Sequence, residues 1–149
     1  MNLDRAARFT ASYALLRAAA DVADHWVQSD HQAVTKGQHD HNDGQSSAAG
    51  RRACAAHVAS YTATQAAALL AGTRLLGVRL RLVPTIAALA LSATTHYIAD
   101  RREPLRKLAD ATGKGNFVRL ADHGMNGAYA LDQAWHHAFE TAAALIASA

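Results

Sequence analysis

The stretch RRACAAHVASYTATQAAALLAGTRLL, residues 51–76, is dominated by alanine and contains no proline. Alanine has the highest intrinsic helix propensity, and its small side chain lets neighbouring helices approach closely. The whole chain leans the same way. Half of its 149 residues are hydrophobic with the excess in alanine, only two prolines interrupt it, and strand-like runs of β-branched residues are short. The expectation is an all-α single domain spanning residues 1–149. It should be a compact bundle of four main helices plus one or two short ones, with a thin core because aromatics are few.

Periodicity places the elements. Phe9, Tyr13, Leu16, Ala20 and Val27 recur at helical spacing and mark the apolar face of a first helix over residues 3–29, with Asn2 as its N-cap. Arg17 and Asp21 lie four apart on another side, as a solvated pair would. The run KGQHDHNDGQSSAAGRR, residues 36–52, is rich in Gly, Ser, Asn and Asp and reads as a loop, flexible over 37–50. Its His39 and His41 resemble metal ligands, but a flexible surface loop offers no fixed geometry. A second helix is expected over 51–75 and a third from near Pro84, a first-turn position, to Asp100. Pro104 opens a short helix stopped by Gly113, and a last helix covers 127–147.

Composition narrows the function classes. A single cysteine, Cys54, excludes an internal disulfide and a cysteine zinc cluster. It suits a reducing, cytoplasmic setting as a small buried residue. The opening MNLDRAARFT carries acid and base before any apolar run, unlike a signal peptide. LVPTIAALALSATTHYIA, residues 82–99, has the length of a short membrane span, yet holds Pro84, Ser92, threonines and His96. It reads as a bundle helix, so no transmembrane segment is expected, and a peripheral membrane contact stays open. The formal charge of +3 suits a phosphate-bearing partner, but the arginines are scattered, and nucleic acid is not favoured. The one helix-turn-helix candidate, residues 104–127, has two glycines in its turn.

Each long helix carries His or Asp on a stripe that otherwise reads as interior. The first has Asp24. The second has His57, in line with Tyr61, Thr64 and Ala68. The third has His96 and Asp100 below Leu89 and Ser92, and the last has Asp132 and His136 with Tyr129, Glu140 and Ala143. Four-residue spacing sets both side chains of a pair on one face, about 5–6 Å apart at Cβ. Three buried aspartates need positive partners, because an unpaired carboxylate is costly to bury. One or two divalent cations would supply that charge, and imidazole with carboxylate suits zinc, manganese or iron.

The expected ligands are therefore Asp24, His57, His96, Asp100, Asp132 and His136, with one of the aspartates free to serve as a catalytic base. Gln28, Gln133 and Tyr61 would orient those ligands. Lys36, Arg101 and Arg102 are candidates to hold an anionic substrate, although basic residues at a helix C-terminus also favour the dipole. His25, His31, His123 and His137 fall off the stripe. GKGN, which follows a helix rather than a strand, does not read as a phosphate loop.

These residues resemble a small helical bacterial family, the domain of unknown function 3307, related to membrane-bound metal-dependent hydrolases. The likeness runs from DVADHWVQSDHQAVTK through HVASYT and THYIADRR to LDQAWHH. The family pattern of an acid, a Gln four later and a following Lys is met by Asp24, Gln28 and Lys36. His57, His96, Asp100, Asp132, Gln133 and His136 meet the rest. Family members place a His four before the first Asp, where this chain has Ala20. The resemblance implies hydrolysis. Ala20 implies a single ion, a weaker site or a scaffold put to other use.

The reading is a divalent-metal hydrolase acting on a phosphoester or a similarly anionic small molecule. The alternative is a non-enzymatic regulator or adaptor, DNA-binding in one version, in which the polar pairs form a buried network that fixes helix register. Alanine-rich surfaces would permit a homodimer.

Overall fold

A computed structural model describes residues 3–122 and 124–149; the expected cap Asn2 and His123 lie outside the described residues. Helix α1 covers Leu3–Val22 and continues as a π-helical turn, Ala23–Val27. Here the structure departs from the single helix expected through residue 29. Gln28 takes an extended conformation (φ −60°, ψ 130°), and Ser29 starts a new helix, α2, Asp30–Thr35. Ser29 Oγ accepts from the Gln32 N–H while Gln32 Oε1 accepts from the Ser29 N–H. This capping box is a strong local start signal.

Helix α3 spans Ser47–Leu75, with the Ser46 side chain capping it, so residues 47–50 of the expected loop are helical. Helix α4 covers Leu82–Asp100 and α5 covers Glu103–Ala111, where Pro104 sits in the first turn. Gly113, at φ 74°, ends α5 in the left-handed region that glycine adopts without a Cβ penalty. A single turn, α6 (Gly115–Val118), and a two-residue hairpin, β1 (Ala121–Asp122) and β2 (Met125–Asn126), lead into α7, Gly127–Ala147. The all-α expectation holds apart from this hairpin. Among the described residues, the 104–127 segment holds most of α5, the single turn α6 and the hairpin.

α1 packs against α3 and α7, and α4 packs against the same two. Neighbours run antiparallel, which sorts the interior into two ends. Leu16, Leu69, Ala88, Ala143, Ala144 and Ala147 fill one end, flanked by Phe9, Leu80, Leu89 and Ile146. The C-terminal ends of α1 and α4 therefore meet the N-terminal halves of α3 and α7 at the other, polar end. α4 is long and apolar enough to cross a membrane by length and composition, with mean hydropathy 1.4. Its outward side exposes Leu82, Val83 and Ile86, while Ser92, Thr95, His96 and Asp100 are buried within the bundle.

Candidate metal centre

The π turn is what delivers Asp24. Gln28 N–H donates to Ala23 O at 3.0 Å, closing a ring one residue wider than in an α-helix. Such turns recur at functional sites because they re-aim one side chain. Asp24 Oδ1 lies 3.1 Å from His57 Nε2 and 3.4 Å from His96 Nε2. The two nitrogens are 3.0 Å apart. Asp100 Oδ2 stands 3.3 Å from His57 Nε2 and 3.1 Å from His96 Nε2. Two helices, α3 and α4, and the π turn thus bring two ring nitrogens and two carboxylate oxygens together.

Protons alone serve this cluster poorly. Each Nε2 carries at most one proton, and each proton makes one good linear bond, so the five contacts outnumber what hydrogen bonds can fill. Asp100 Oδ2, buried, accepts no hydrogen bond from any described residue, and His57 Nδ1 and His96 Nδ1 are likewise unpartnered. A shared cation fits better. Donors about 2.1 Å from one ion stand about 3.0 Å apart in octahedral and about 3.4 Å apart in tetrahedral geometry, and the five contacts described fall in that range.

The electrostatics agree. Burial would raise the Asp24 carboxyl, but hydrogen bonds from His57 and His96 and the charges of His96 and His136 hold it well below the carboxylate range. Burial also works to raise Asp100, and His96 with Lys36 brings it down to about 2. Burial would lower His96, yet Asp100 and Asp24 raise it to about 9. The site is built to hold positive charge.

α7 supplies the rest. His136 Nε2 lies 3.3 Å from the half-buried Asp132 Oδ2, and the His136 ring stacks on His96 with centroids 4.3 Å apart. Ligating atoms of Asp24, His96 and His136, and those of Asp100, Asp132 and His136, each fall within 4.8 Å of one another. All six residues singled out from the sequence converge. On the other face of His96 lies Tyr61, 3.8 Å between centroids. Ala20, where the resembled family has His, is buried in a small cluster with Ala23 and Tyr61.

Tyr61 begins a buried relay that the sequence did not reveal. Ser92 Oγ donates to Gln65 Oε1 at 2.8 Å, and Gln65 Nε2 donates to the Tyr61 oxygen at 3.1 Å. The Tyr61 hydroxyl donates to Glu140 Oε1 at 3.1 Å, and Arg17 donates to Glu140 Oε2 at 2.8 Å. Arg17 is therefore no surface partner of Asp21 alone; it reaches inward and neutralises a carboxylate that is 2% exposed. The 132-136-140 spacing was the available signal for Glu140.

A cavity of about 680 Å³ opens onto the cluster, reached by Asp24, Asp100 and Asp132 and walled by Lys36, Arg102, Arg106 and Arg119. Gln28 and Gln133 line it as well. Gln133 Nε2 donates to Asp132 Oδ2 at 3.4 Å, while Gln28 Nε2 is buried without a partner. Lys36 Nζ sits 2.7 Å from Asp100 Oδ1, so its charge is committed to a ligand.

Arg101 departs from its expected role. It is buried at 6% exposure, outside the cavity, donating to Lys36 O and to Gln38 O. Gly50 leaves room for that guanidinium, since a Cβ there would lie 2.4 Å from it. Arg106 and Arg119 take the places at the wall that the sequence reading gave to Arg101; Arg106, four after Arg102 on the same helical face, was the legible one. His31 and His137 are exposed, whereas His25 lines the cavity and bonds Asp21 O.

Arg102 is strained. Its φ of 58° and ψ of −46°, with Glu103 N–H donating to Arg101 O at 2.6 Å, define the positive-φ γ-turn, the disfavoured form. The turn throws the Arg102 side chain back over Gly37, where a Cβ would meet its Cδ at 2.5 Å. Backbone strain of this kind gathers at sites where position matters more than stability. Arg102→Gly should raise stability by about 1 kcal/mol in chemical denaturation. No gain would mean that the backbone there is relaxed.

No protein-family model, curated protein or solved structure matches the chain.

Proposed function

We propose that the protein is a divalent-metal-dependent hydrolase of phosphoesters or similarly anionic esters. One observation carries the reading: the crossed contacts of His57 and His96 with Asp24 and Asp100, 3.0–3.4 Å, whose two aspartates line a cavity with basic walls. His57, His96, Asp24 and Asp100, with His136, would hold the ion. When bound, it supplies Lewis-acid polarisation of the ester and acidifies water at the site.

Asp132 suits the base. Its side chain is 26% exposed toward the cavity, and Gln133 holds its Oδ2, so it can take a proton from the attacking water. Arg102 and Arg106 would seat the substrate anion, while Arg119 at the same wall is paired with Asp110. Lys36 keeps Asp100 ionised, and Tyr61 fixes the His96 ring from its face.

A second reading rests on Lys36 and the raised His96: two cations can neutralise Asp24 and Asp100 without metal, leaving a buried network that sets helix register. Metal analysis of protein purified without a histidine tag separates the two. The hydrolase reading expects stoichiometric zinc, manganese or iron, lost from a His96→Ala, Asp132→Ala double variant. It also expects aryl phosphate mono- or diester hydrolysis that a chelator abolishes and added ion restores. Metal-free protein whose melting ignores both chelator and cations would leave the network reading standing. An ion without turnover would make it structural.

A further inference from the structure

We propose that His39, His41 and Glu103 form a second, separate site for a late first-row divalent cation of the zinc class. The objection to HDHND in the sequence was the absence of fixed geometry, and the structure removes it. His39 N–H donates to Gln45 Oε1 at 3.1 Å, and Asn42 N–H donates to His39 O at 3.1 Å. Asp40 and Ser47 bond each other twice, at 2.8 Å each, through backbone N–H and side-chain oxygen in both directions. The segment is a tied loop, anchored at the first turn of α3.

The His39 ring is oriented from below. Its Nε2 lies 2.9 Å from Arg101 O, and a carbonyl can only accept, so in the neutral ring Nε2 carries the proton and Nδ1 the lone pair. The Arg101 guanidinium, 3.3 Å from both ring nitrogens, holds the ring and with this tautomer donates to Nδ1, a bond that a bound ion would displace. A backbone carbonyl on the far nitrogen is the usual device for aiming an imidazole at a metal. Nδ1 looks at Glu103 Oε2, 3.4 Å away, the tetrahedral spacing of two ligands on one ion. Glu103 gives its other oxygen to Lys107 at 2.9 Å, leaving Oε2 for this contact.

The His41 ring stacks on His39 with centroids 5.3 Å apart, and one donor atom from each of the three residues lies within 4.8 Å of the others. Two imidazoles and a carboxylate at a half-exposed position suit zinc, with water completing the shell. A bound ion would tie the α2–α3 loop to the start of α5, directly beside the strained Arg102.

The test uses the whole chain without a tag, stripped with chelator and titrated with zinc. Calorimetry or equilibrium dialysis is read for the wild type, His41→Ala, Glu103→Gln and a His57→Ala, His96→Ala variant. His41→Ala and Glu103→Gln should each lose one zinc per chain, or bind it at least about tenfold more weakly. Their melting in chelator should match that of the wild type. The His57→Ala, His96→Ala variant should keep one zinc. If the bundle interior binds no metal, the wild type takes one ion and His41→Ala none, so failure of the hydrolase reading is told apart from failure here. Stoichiometry and affinity unchanged in both His41→Ala and Glu103→Gln overturn the site.

Discussion

Arg17→Met should destabilise the protein by about 3–5 kcal/mol near neutral pH, because it strands the buried Glu140 carboxylate. Glu140 has a side chain only 2% exposed, and its charged partner within the relay is Arg17, at 2.8 Å. The Arg17–Asp21 pair, with Asp21 half exposed, contributes little by comparison. For a chain of this size, the loss corresponds to a fall in Tm of roughly 10 °C.

The pH dependence follows from Glu140 itself. Burial pushes its carboxyl above the ordinary value, even against the opposing pull of Arg17, Tyr61 and His136. A folded value above the unfolded one means the native state binds more protons, so this contribution is fully present below about pH 4.3 and is lost as pH rises through the folded value. Removing Arg17 raises the folded value further. The gap between variant and wild type should therefore narrow on acidification from pH 7.5 to pH 5, measured by urea denaturation. Adding Glu140→Gln to Arg17→Met should recover most of the stability at pH 7.5. A gap that is independent of pH and of Glu140→Gln would assign the cost to lost packing of the Arg17 stem instead.

The reach of sequence reasoning follows from what kind of signal each residue leaves. His96–Asp100 and Asp132–His136 were legible because four-residue spacing fixes a shared helix face whatever the tertiary context. His57 and Asp24 were legible as polar intrusions on apolar stripes. The π turn at residues 23–27 was not, since an extra residue in one turn leaves no compositional mark until a neighbour demands the altered aim. Arg17 and Arg101 were misplaced for a common reason. An arginine on the margin of a stripe reads as facing solvent or a substrate, yet its length lets it reach a buried carboxylate or backbone carbonyls well away from its own Cα. The loop at 37–46 is a different case. Gly, Ser, Asn and Asp signal turns, and the same residue types also supply the side-chain bonds that tie this one down. Glu103 could not be connected to His39 at all, being distant in sequence and on another element.

Asp100→Asn should abolish a cation-dependent gain in stability that the wild type shows. The substitution keeps the shape and nearly the volume of the side chain but removes the charge between Lys36 and the two Nε2 atoms. A ligand that binds only the folded state stabilises it by about 2.7 kcal/mol at a hundred times its Kd. Wild-type protein should therefore melt roughly 5–10 °C higher with manganese or zinc than in chelator. An Asn oxygen is a far weaker ligand than a carboxylate, so affinity should fall about a hundredfold or more, erasing that increment at the same ion concentration. Ester hydrolysis should fall with it.

In chelator the same substitution also unpairs the nearly buried Lys36, so a loss of stability there is expected under either reading and decides nothing. The informative quantity is the difference between ion and chelator within each variant. To keep the loop cluster from contributing, both proteins are compared in a His41→Ala background. A wild-type increment that Asp100→Asn removes means an ion bridges the helices at Asp100. An increment of equal size in both proteins means that the ion binds elsewhere. No increment in either means that Lys36 and protonated His96 neutralise the carboxylates by themselves.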